Sequence, residues 1–555
     1  MGHALMELLV ENLASGLNRK TINSCSKWAQ AYRVMGQPFP GKWKFDYHPW
    51  ARAMCDAKDE MVVGQKAAQM AYTEVALNKV FYAIDVHGIS VLYILPATSP
   101  DASDFSTARF DPALEMSDHL NNMFSDVKNI GHKRAGNANL YIRGSRSRSQ
   151  LKSLPVGLIV FDEVDEMVQD NIPLAFERMS GQLDKQSFLI STPTIDNYGI
   201  NAYFRQSTQD HYYFKCPHCS KYTELLFPEC LVITAESHMD INVRRSYIKC
   251  KECDNRLDHE TKKEWLGYSN AKWISSYTDR VVRGFHINQL YSSTVKPYEL
   301  ATSYLKAATN PADEQEFYNS KLGLTHIVEG ARVTEKQLDE CIGGYIKSVD
   351  GIPNSVITLG VDVGKWLHYE VDQWFFKDNL QTNDINLMAT CRIIAEGKVL
   401  NFEELDGLMR NYGVMFCVID ANPEKRKALE FAQRFWGHVR LCYYGNNLRN
   451  SKQIHLHSEE DHTMTVDRTS WLDLSLGRFK QGFDFIQLPK DVSQEYRKHM
   501  KSLVRIYEKD TNGNPVGRYV RGNDDDHFAH ARNYAELALP LGMSLAKSYD
   551  IGNIV

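Results

Sequence analysis

An α/β fold in two catalytic parts, joined by a metal-bound insertion, is predicted by three features of the sequence. The first is Leu158-Ile159-Val160-Phe161-Asp162-Glu163, four apolar residues followed by two adjacent carboxylates. A parallel strand buried on both faces needs an apolar run of this kind. The second is a pair of later strand patterns, residues 356–364 and 415–422, each carrying one aspartate, Asp362 and Asp420. The third is two Cys-x-x-Cys pairs about thirty residues apart, Cys216-Pro217-His218-Cys219 and Cys250-Lys251-Glu252-Cys253.

Length and composition set the bounds. A chain of 555 residues holds about three domains of ordinary size. Charged residues at 24%, apolar ones at 43% and a net charge of -5 describe a globular chain with no basic or acidic extreme. Any nucleic-acid contact must therefore rest on local positive charge. The longest apolar run, residues 89–97, falls far short of the roughly 20 needed to cross a bilayer, and the N-terminus has no signal-peptide pattern, so an intracellular chain is expected. Eleven cysteines, an odd number scattered over a long chain, argue for reduced thiols with one metal exception.

In the acidic pair, Asp162 can hold Mg²⁺ and Glu163 can orient water, the Walker B design of a nucleotide-hydrolysing motor. An acidic helix start is the competing reading. About a hundred residues upstream, Met61-Val62-Val63-Gly64-Gln65-Lys66 enters a helix-like stretch containing Tyr72 and Thr73. A phosphate cradle needs backbone N–H groups at a helix start, a cation and a hydroxyl for the metal, and Lys66 and Thr73 supply the last two. The spacing departs from G-x-x-x-x-G-K-[ST], so its place before the strand pattern at residues 91–95 is what raises it. Downstream, a short buried strand ends in Ser191-Thr192-Pro193-Thr194, hydroxyl residues suited to sensing a γ-phosphate. Between these motifs Lys133, Arg134, Arg143, Arg146 and Arg148 form the densest basic run. It is either a solvated loop or a contact to DNA phosphates or to a neighbour's ATP, with Arg143, Arg146 and Arg148 as candidate arginine fingers.

Four thiolates from Cys216, Cys219, Cys250 and Cys253 complete a closed tetrahedral Zn²⁺ shell, which assigns this metal to folding. Cys230, between the pairs, is expected as a core thiol. Asp362 and Asp420 on adjacent strands, with a third acid from a helix, form the divalent-metal platform of an RNase H-like nuclease. The third acid comes from Asp524-Asp525-Asp526-His527-Phe528-Ala529-His530, where Asp526 and His530 lie four apart.

Taken in order, these segments resemble the large subunit of tailed-bacteriophage terminases, and within them the lambda-like GpA family, over residues 50–537. The resemblance is also carried by Gly284-Phe285-His286-Ile287-Asn288-Gln289-Leu290-Tyr291-Ser292, Asn319-Ser320-Lys321-Leu322-Gly323 and Val466-Asp467-Arg468-Thr469. It implies an ATP-driven motor that moves double-stranded DNA through a portal into a procapsid, and a nuclease that cuts concatemeric DNA. By the same analogy Lys66, Tyr72, Thr73, Asp162 and Thr192 hold nucleotide and Mg²⁺, Glu163 activates water, and an aromatic, Tyr47 or Trp50, stacks on adenine. Asp362, Asp420 and Asp526 bind the nuclease Mg²⁺ or Mn²⁺, with His530 as helper. Many relatives carry Asp where His530 stands, so Asp525, Asp526 or His530 completes that site. The expected partners are a small terminase subunit, portal protein and further copies of the chain in a ring of about five. The expected location is the host cytoplasm, docked transiently on the procapsid.

The expected fold is a RecA-like (P-loop, ASCE-type) ATPase with a zinc-ribbon insertion, followed by an RNase H-like nuclease. Its predicted parts are an N-terminal helical segment at 1–45, an ATPase core at 46–210 and the zinc ribbon at 211–275. A helical linker at 276–350, the nuclease at 351–540 and a tail at 541–555 complete it. An amphipathic opening, Leu8-Leu9 through Leu13 and Leu17, is read as a helix packed on its own domain or docking the small subunit. The rival readings are a translocase or helicase with an inactive nuclease-like domain, and a DNA-binding scaffold built on the zinc knot.

Overall fold

The computed structural model describes residues 6, 22–124, 127–152, 154–348, 355–376, 384–445, 451–457, 462–509, 515–522 and 524–552. The amphipathic opening at residues 8–17 lies outside them. Two compact units emerge, Met1–His326 and Ile327–Val555. Among the described residues no helix is long and apolar enough to cross a membrane.

Seven parallel strands form the centre of the first unit: β1 (Met61–Lys66), β2 (Val91–Leu95), β3 (Ala138–Gly144), β4 (Leu158–Asp162), β5 (Gln186–Ser191), β6 (Asp210–Lys215) and β7 (Arg283–Ile287). Their order is β6-β7-β1-β5-β4-β2-β3. One strand, β5, thus separates the lysine strand from the acidic strand. Every residue of β2 and β4 is buried, as a sheet covered on both faces requires. Antiparallel strands close both edges, His132–Ala135 on one side and Tyr222–Thr223 with Ala271–Ser275 on the other. Helix α1 (Tyr72–His87) follows β1 and stops at Gly88, whose φ of 63° lets its N–H reach back to the Ala83 and Ile84 carbonyls.

The second unit is built on β8 (Val356–Val363), β9 (Leu367–Phe376), β10 (Ala389–Val399), β11 (Phe416–Asp420), β12 (Val439–Tyr444) and β13 (Thr463–Val466), with α2 (Phe402–Asn411), α3 (Lys425–Arg434), α4 (Arg468–Gln481) and α5 (His527–Gly552). The order is β13-β12-β11-β8-β9-β10. An antiparallel meander of β8, β9 and β10 is extended from β8 by parallel β11, β12 and β13, the RNase H-like arrangement. Period-two alternation divides β8 between two surroundings. Leu359, Val361 and Val363 join the core that includes Phe402, Leu405, Ala428 and Phe431 of α2 and α3. Thr358, Gly360 and Asp362 face α5. A Cβ on Gly360 would stand 2.0 Å from the Ala531 carbonyl oxygen and 2.2 Å from the Ala535 nitrogen. Only glycine permits this approach, and it brings α5 down onto the sheet at Ala531 and Ala535.

Beneath that helix lies a buried ionic network. Arg532 binds Glu370 at 3.0 Å and also contacts Asp372 and Glu536. Arg478 grips Glu536 at 2.6 and 2.7 Å and the Ala389 and Asn386 carbonyls at 2.8 and 2.6 Å. Burial, then the neighbouring Asp372, pushes Glu370 well above the carboxylate range. Removing one partner of such a set leaves a buried charge uncompensated, at a cost of about 3–5 kcal/mol. Arg532→Ala is therefore expected to lower the unfolding transition of the second unit in calorimetry. An unchanged transition would mean the network is dispensable.

Candidate functional site

Lys66 closes β1, Asp162 closes β4 and Ser191 closes β5, so all three lie at the carboxyl ends of parallel strands, where open α/β sheets bind ligands. Beyond Lys66 the chain turns through Ala67 to Ala71 into α1. Two non-glycine residues there take left-handed backbone, Gln69 at φ 61° and Ala71 at φ 65°. Such conformations are costly outside glycine and concentrate at ligand clamps. The Ala67 and Ala68 N–H groups donate to the Ile287 and Ser320 carbonyls at 2.9 and 2.7 Å. The remaining turn leads into a helix N-terminus without a side-chain cap, a ready anion site.

The Lys66 ammonium meets Glu163 Oε1 at 3.0 Å. Burial works against its charge, and Glu163 and Asp162 outweigh burial, so its pKa is raised. Asp162 is 2% exposed. Its Oδ2 accepts from the Tyr93 hydroxyl at 2.7 Å, while Oδ1 is buried without a hydrogen-bond partner. Burial, then the Glu163 charge, pushes its pKa up to about 6, against the opposing pull of Lys66 and of the Tyr93 and Thr73 hydroxyls. An orphaned buried carboxylate oxygen beside a threonine hydroxyl is the donor set Mg²⁺ takes. Glu163 itself sits at φ 63°, which swings its half-exposed carboxylate back over Lys66.

A cavity of about 830 Å³ opens at these residues and is lined by Lys66, Tyr72, Thr73, Glu163 and Thr192 among others, a volume suited to a nucleotide. The Tyr72 ring packs where a Gly64 Cβ would be, 2.7 Å away, so its hydroxyl points into protein. Of the two aromatics considered for adenine, Trp50 is fully buried and donates to the Met70 carbonyl at 3.0 Å beneath the loop. Tyr47 lines the cavity and stacks on Phe39 with centroids 3.8 Å apart. The Arg143 guanidinium donates to the Gly131 and Ile142 carbonyls, and Arg146 and Arg148 are exposed. None of the three lines this cavity.

Residues given no role by the sequence reading hold the cradle in place. Asp165 accepts from the Thr194 N–H at 2.7 Å, the Thr194 hydroxyl at 2.6 Å and the Ile200 N–H at 2.7 Å, tying the end of β4 to the segment after β5. Asn319 donates to the Thr194 carbonyl at 2.9 Å. Gly323, at φ 64°, passes so close that a Cβ would stand 2.7 Å from the Ala67 nitrogen. The Asn319-to-Gly323 segment therefore buttresses both the phosphate turn and the Thr194 strand end. Its sequence signal was the unexplained glycine and asparagine in one short run.

The four cysteines converge. Cys216, Cys219, Cys250 and Cys253 offer sulfurs all within 4.8 Å of one another, and Cys216 and Cys253 are 3.9 Å apart. Tetrahedral bonds of about 2.3 Å require sulfur spacings of about 3.8 Å. The two turns are near copies: Ser220 at φ 58° and Asp254 at φ 57°, each N–H bonded to the first cysteine's carbonyl at 2.9 Å. The His218 and Glu252 N–H groups donate to Cys216 and Cys250 sulfur at 3.4 Å. Cys230 is fully buried in the adjoining core.

In the second unit, parallel pairing sets Val361 against Ile419, so Asp362 and Asp420 follow side by side on one sheet face. Burial, and then the Asp362 charge, pushes Asp420 up to about 6. Asp526 immediately precedes α5 and lies 3.4 Å from His530 Nε2. Burial alone would raise it, but the His530 contact, with Arg468 and Arg521, holds it down to about 2. His530 Nδ1 meets the Tyr444 hydroxyl at 3.1 Å, and its Nε2 lies 3.3 Å from an Arg468 nitrogen. The contact to Asp362 comes from another residue, His527, whose Nδ1 is 2.8 Å from Asp362 Oδ2.

A family model described as the ATPase domain of the phage terminase large subunit gpA matches residues 37–273. One described as the gpA terminase endonuclease domain matches residues 282–380. That second match starts at β7, a strand of the first unit's sheet. No curated relative matches the chain. Among solved structures, the HK97 bacteriophage large terminase aligns over 93% of this chain and 99% of its own at 9% identity, TM-score 0.46. The Thermus phage P74-26 large terminase ATPase domain aligns over 49% and 92% at 11% identity, TM-score 0.31. The large terminase nuclease of thermophilic phage G20c with bound magnesium aligns over 38% and 97% at 14% identity, TM-score 0.24.

Proposed function

Because this chain belongs to the gpA family of phage terminase large subunits, we propose that its two acidic centres are the ATPase and the endonuclease of a viral DNA-packaging motor. The family carries both activities, an ATPase domain followed by an endonuclease domain. The observation that best supports the residue assignment is Asp162, a buried carboxylate with one unpartnered oxygen, which interacts with Lys66, Glu163 and Thr73.

In this reading the turn after Lys66 and the uncapped start of α1 bind the phosphates, Thr73 and Asp162 hold Mg²⁺, and the Tyr47–Phe39 stack meets adenine. A triphosphate competes with Glu163 for the Lys66 ammonium. The carboxylate so released can accept a proton from the attacking water. Mg²⁺ held there would supply the charge neutralisation that the γ-phosphate needs. Asp165 and Thr194 carry the change toward the DNA side through the strand end they share. Asp362 and Asp420 would hold the nuclease metals, which would supply an activated water and charge stabilisation at the leaving oxygen. DNA contacts go mainly to phosphates and weaken steeply with salt. Small terminase subunit, portal protein and neighbouring copies of the chain are the proposed partners, in the host cytoplasm. An arginine from a neighbouring copy, Arg143, Arg146 or Arg148, is the proposed finger.

The test is double: ATP turnover stimulated by double-stranded DNA, and plasmid cleavage dependent on divalent metal. Stimulated turnover without cleavage would favour the translocase reading. We also propose that the four cysteines hold one structural Zn²⁺. Elemental analysis is expected to find one zinc per chain, falling below one-tenth in Cys250→Ser. Full zinc retention in that variant would refute the site.

A further inference from the structure

We propose that the second unit carries a nitrogen-rich cation site formed by Asp362, His368 and His527, which selects a transition ion of the Mn²⁺, Co²⁺ or Zn²⁺ kind over Mg²⁺. It rests on the endonuclease reading, because Asp362 is shared between this site and the Asp362/Asp420 platform.

The site follows from the sheet register. In the antiparallel pairing of β8 with β9, Asp362 stands directly opposite His368. On the other side of β8, parallel β11 sets Asp420 beside Asp362. The three side chains form a row across one face, with Asp362 in the middle. Helix α5 lies over that row through the opening left by Gly360. It presents His527 toward the His368 side and, three residues on, His530 toward the Asp420 side. Asp362, His368 and His527 can each offer a ligand atom within 4.8 Å of the others.

Two features point to an ion here and not to a packed imidazole pair. His368 is 4% exposed, yet its Nδ1 has no hydrogen-bond partner, an expense that buried polar groups rarely carry. Its ring lies parallel to that of His527, with centroids 4.5 Å apart and 10° between planes, and the His527 Nδ1 reaches Asp362 Oδ2 at 2.8 Å. A third imidazole, His499, is 5.8 Å from His368 by centroids, but its Nδ1 accepts from the Phe528 N–H at 3.3 Å. It therefore serves as backing.

The donor set decides the metal. Mg²⁺ favours oxygen ligands in near-ideal octahedral geometry, whereas imidazole suits transition ions. Two nitrogens and one carboxylate leave coordination positions open for water or a DNA phosphate oxygen. The carboxylate pair on the Asp420 side retains the oxygen character that accepts Mg²⁺. The two halves of the centre thus differ in preference, with Asp362 common to both.

The test uses the full-length chain without nucleotide, with Mn²⁺ as probe. Electron paramagnetic resonance counts bound Mn²⁺, and pulsed spectra detect nitrogen coupled to it. Wild type is expected to bind Mn²⁺ at least tenfold tighter than Mg²⁺, measured by competition, and to show imidazole nitrogen couplings. His368→Asn and His527→Asn are each expected to lose the nitrogen coupling of one ring and at least tenfold in Mn²⁺ affinity, with the calorimetric unfolding transition of the second unit unchanged as a check on folding. Unchanged couplings and affinity in both variants would overturn the site. So would equal affinity for the two metals in wild type. If the histidine variants bind Mn²⁺ normally while Asp362→Asn loses cleavage, the histidine site fails and the nuclease stands. Normal cleavage by Asp362→Asn would remove the nuclease reading itself.

Discussion

Glu163→Gln is expected to lower DNA-stimulated ATP turnover by about 10²- to 10⁴-fold, the usual range for loss of a positioned general base, while leaving ATP bound. The substitution keeps the side chain's shape and removes its ability to accept a proton. It also removes the 3.0 Å ion pair that holds Lys66 in the free chain, so the ammonium is freed for the phosphates. Affinity for a fluorescent ATP analogue should therefore hold or tighten while turnover collapses. Lys66→Ala should do the reverse and weaken binding first. Turnover in Glu163→Gln within threefold of the parent would dismiss the base assignment. It would leave Glu163 as a partner that merely stores the lysine.

Asp362→Asn should reduce metal-dependent plasmid cleavage by about 10²- to 10³-fold or more, since it removes the one carboxylate shared along the row. ATP turnover should be untouched, because Lys66, Asp162 and Glu163 belong to a different compact unit. The separation of effects is the informative part. Asp420→Asn should match it in cleavage. Asp526→Asn should cost less, because Asp526 is engaged with His530 at 3.4 Å and outside the Asp362, His368 and His527 group. Equal loss in all three variants would restore Asp526 as a direct ligand.

Much of this was legible in the chain because short-range rules sufficed. The run at residues 158–163 reads as a buried strand with acids at its end, and β4 spans Leu158–Asp162. The patterns at 91–95, 356–364 and 415–422 correspond to β2, β8 and β11. Each is a dense apolar run bounded by turn residues, and such runs leave the chain little choice. The cysteine spacing likewise foretold a cluster, because two tight knuckles can meet around one ion with little demand on the rest of the fold.

What escaped depended on register and approach. His368 sits six residues after Asp362 across the bend at Gly364, and only strand pairing sets the two face to face. His527 was one position from the aspartate that drew attention, but helix α5 begins at His527, and the angle of its first turn decides which side chain reaches Asp362. Asn319 and Gly323 stand close together in the sequence, yet the purpose of Gly323 appears only where it crosses the phosphate turn at Ala67, and that of Asn319 only where it meets the Thr194 carbonyl.

The sequence alone determined which stretches become buried strands, where carboxylates and thiols are released, and hence the two chemistries, because apolar periodicity and residue type act locally. Only the tertiary structure decided which of those groups touch. A one-residue change of register or the loss of the Gly360 gap would keep every element and still separate Asp362 from its imidazole neighbours, since contacts between distant segments are set by pairing and close packing.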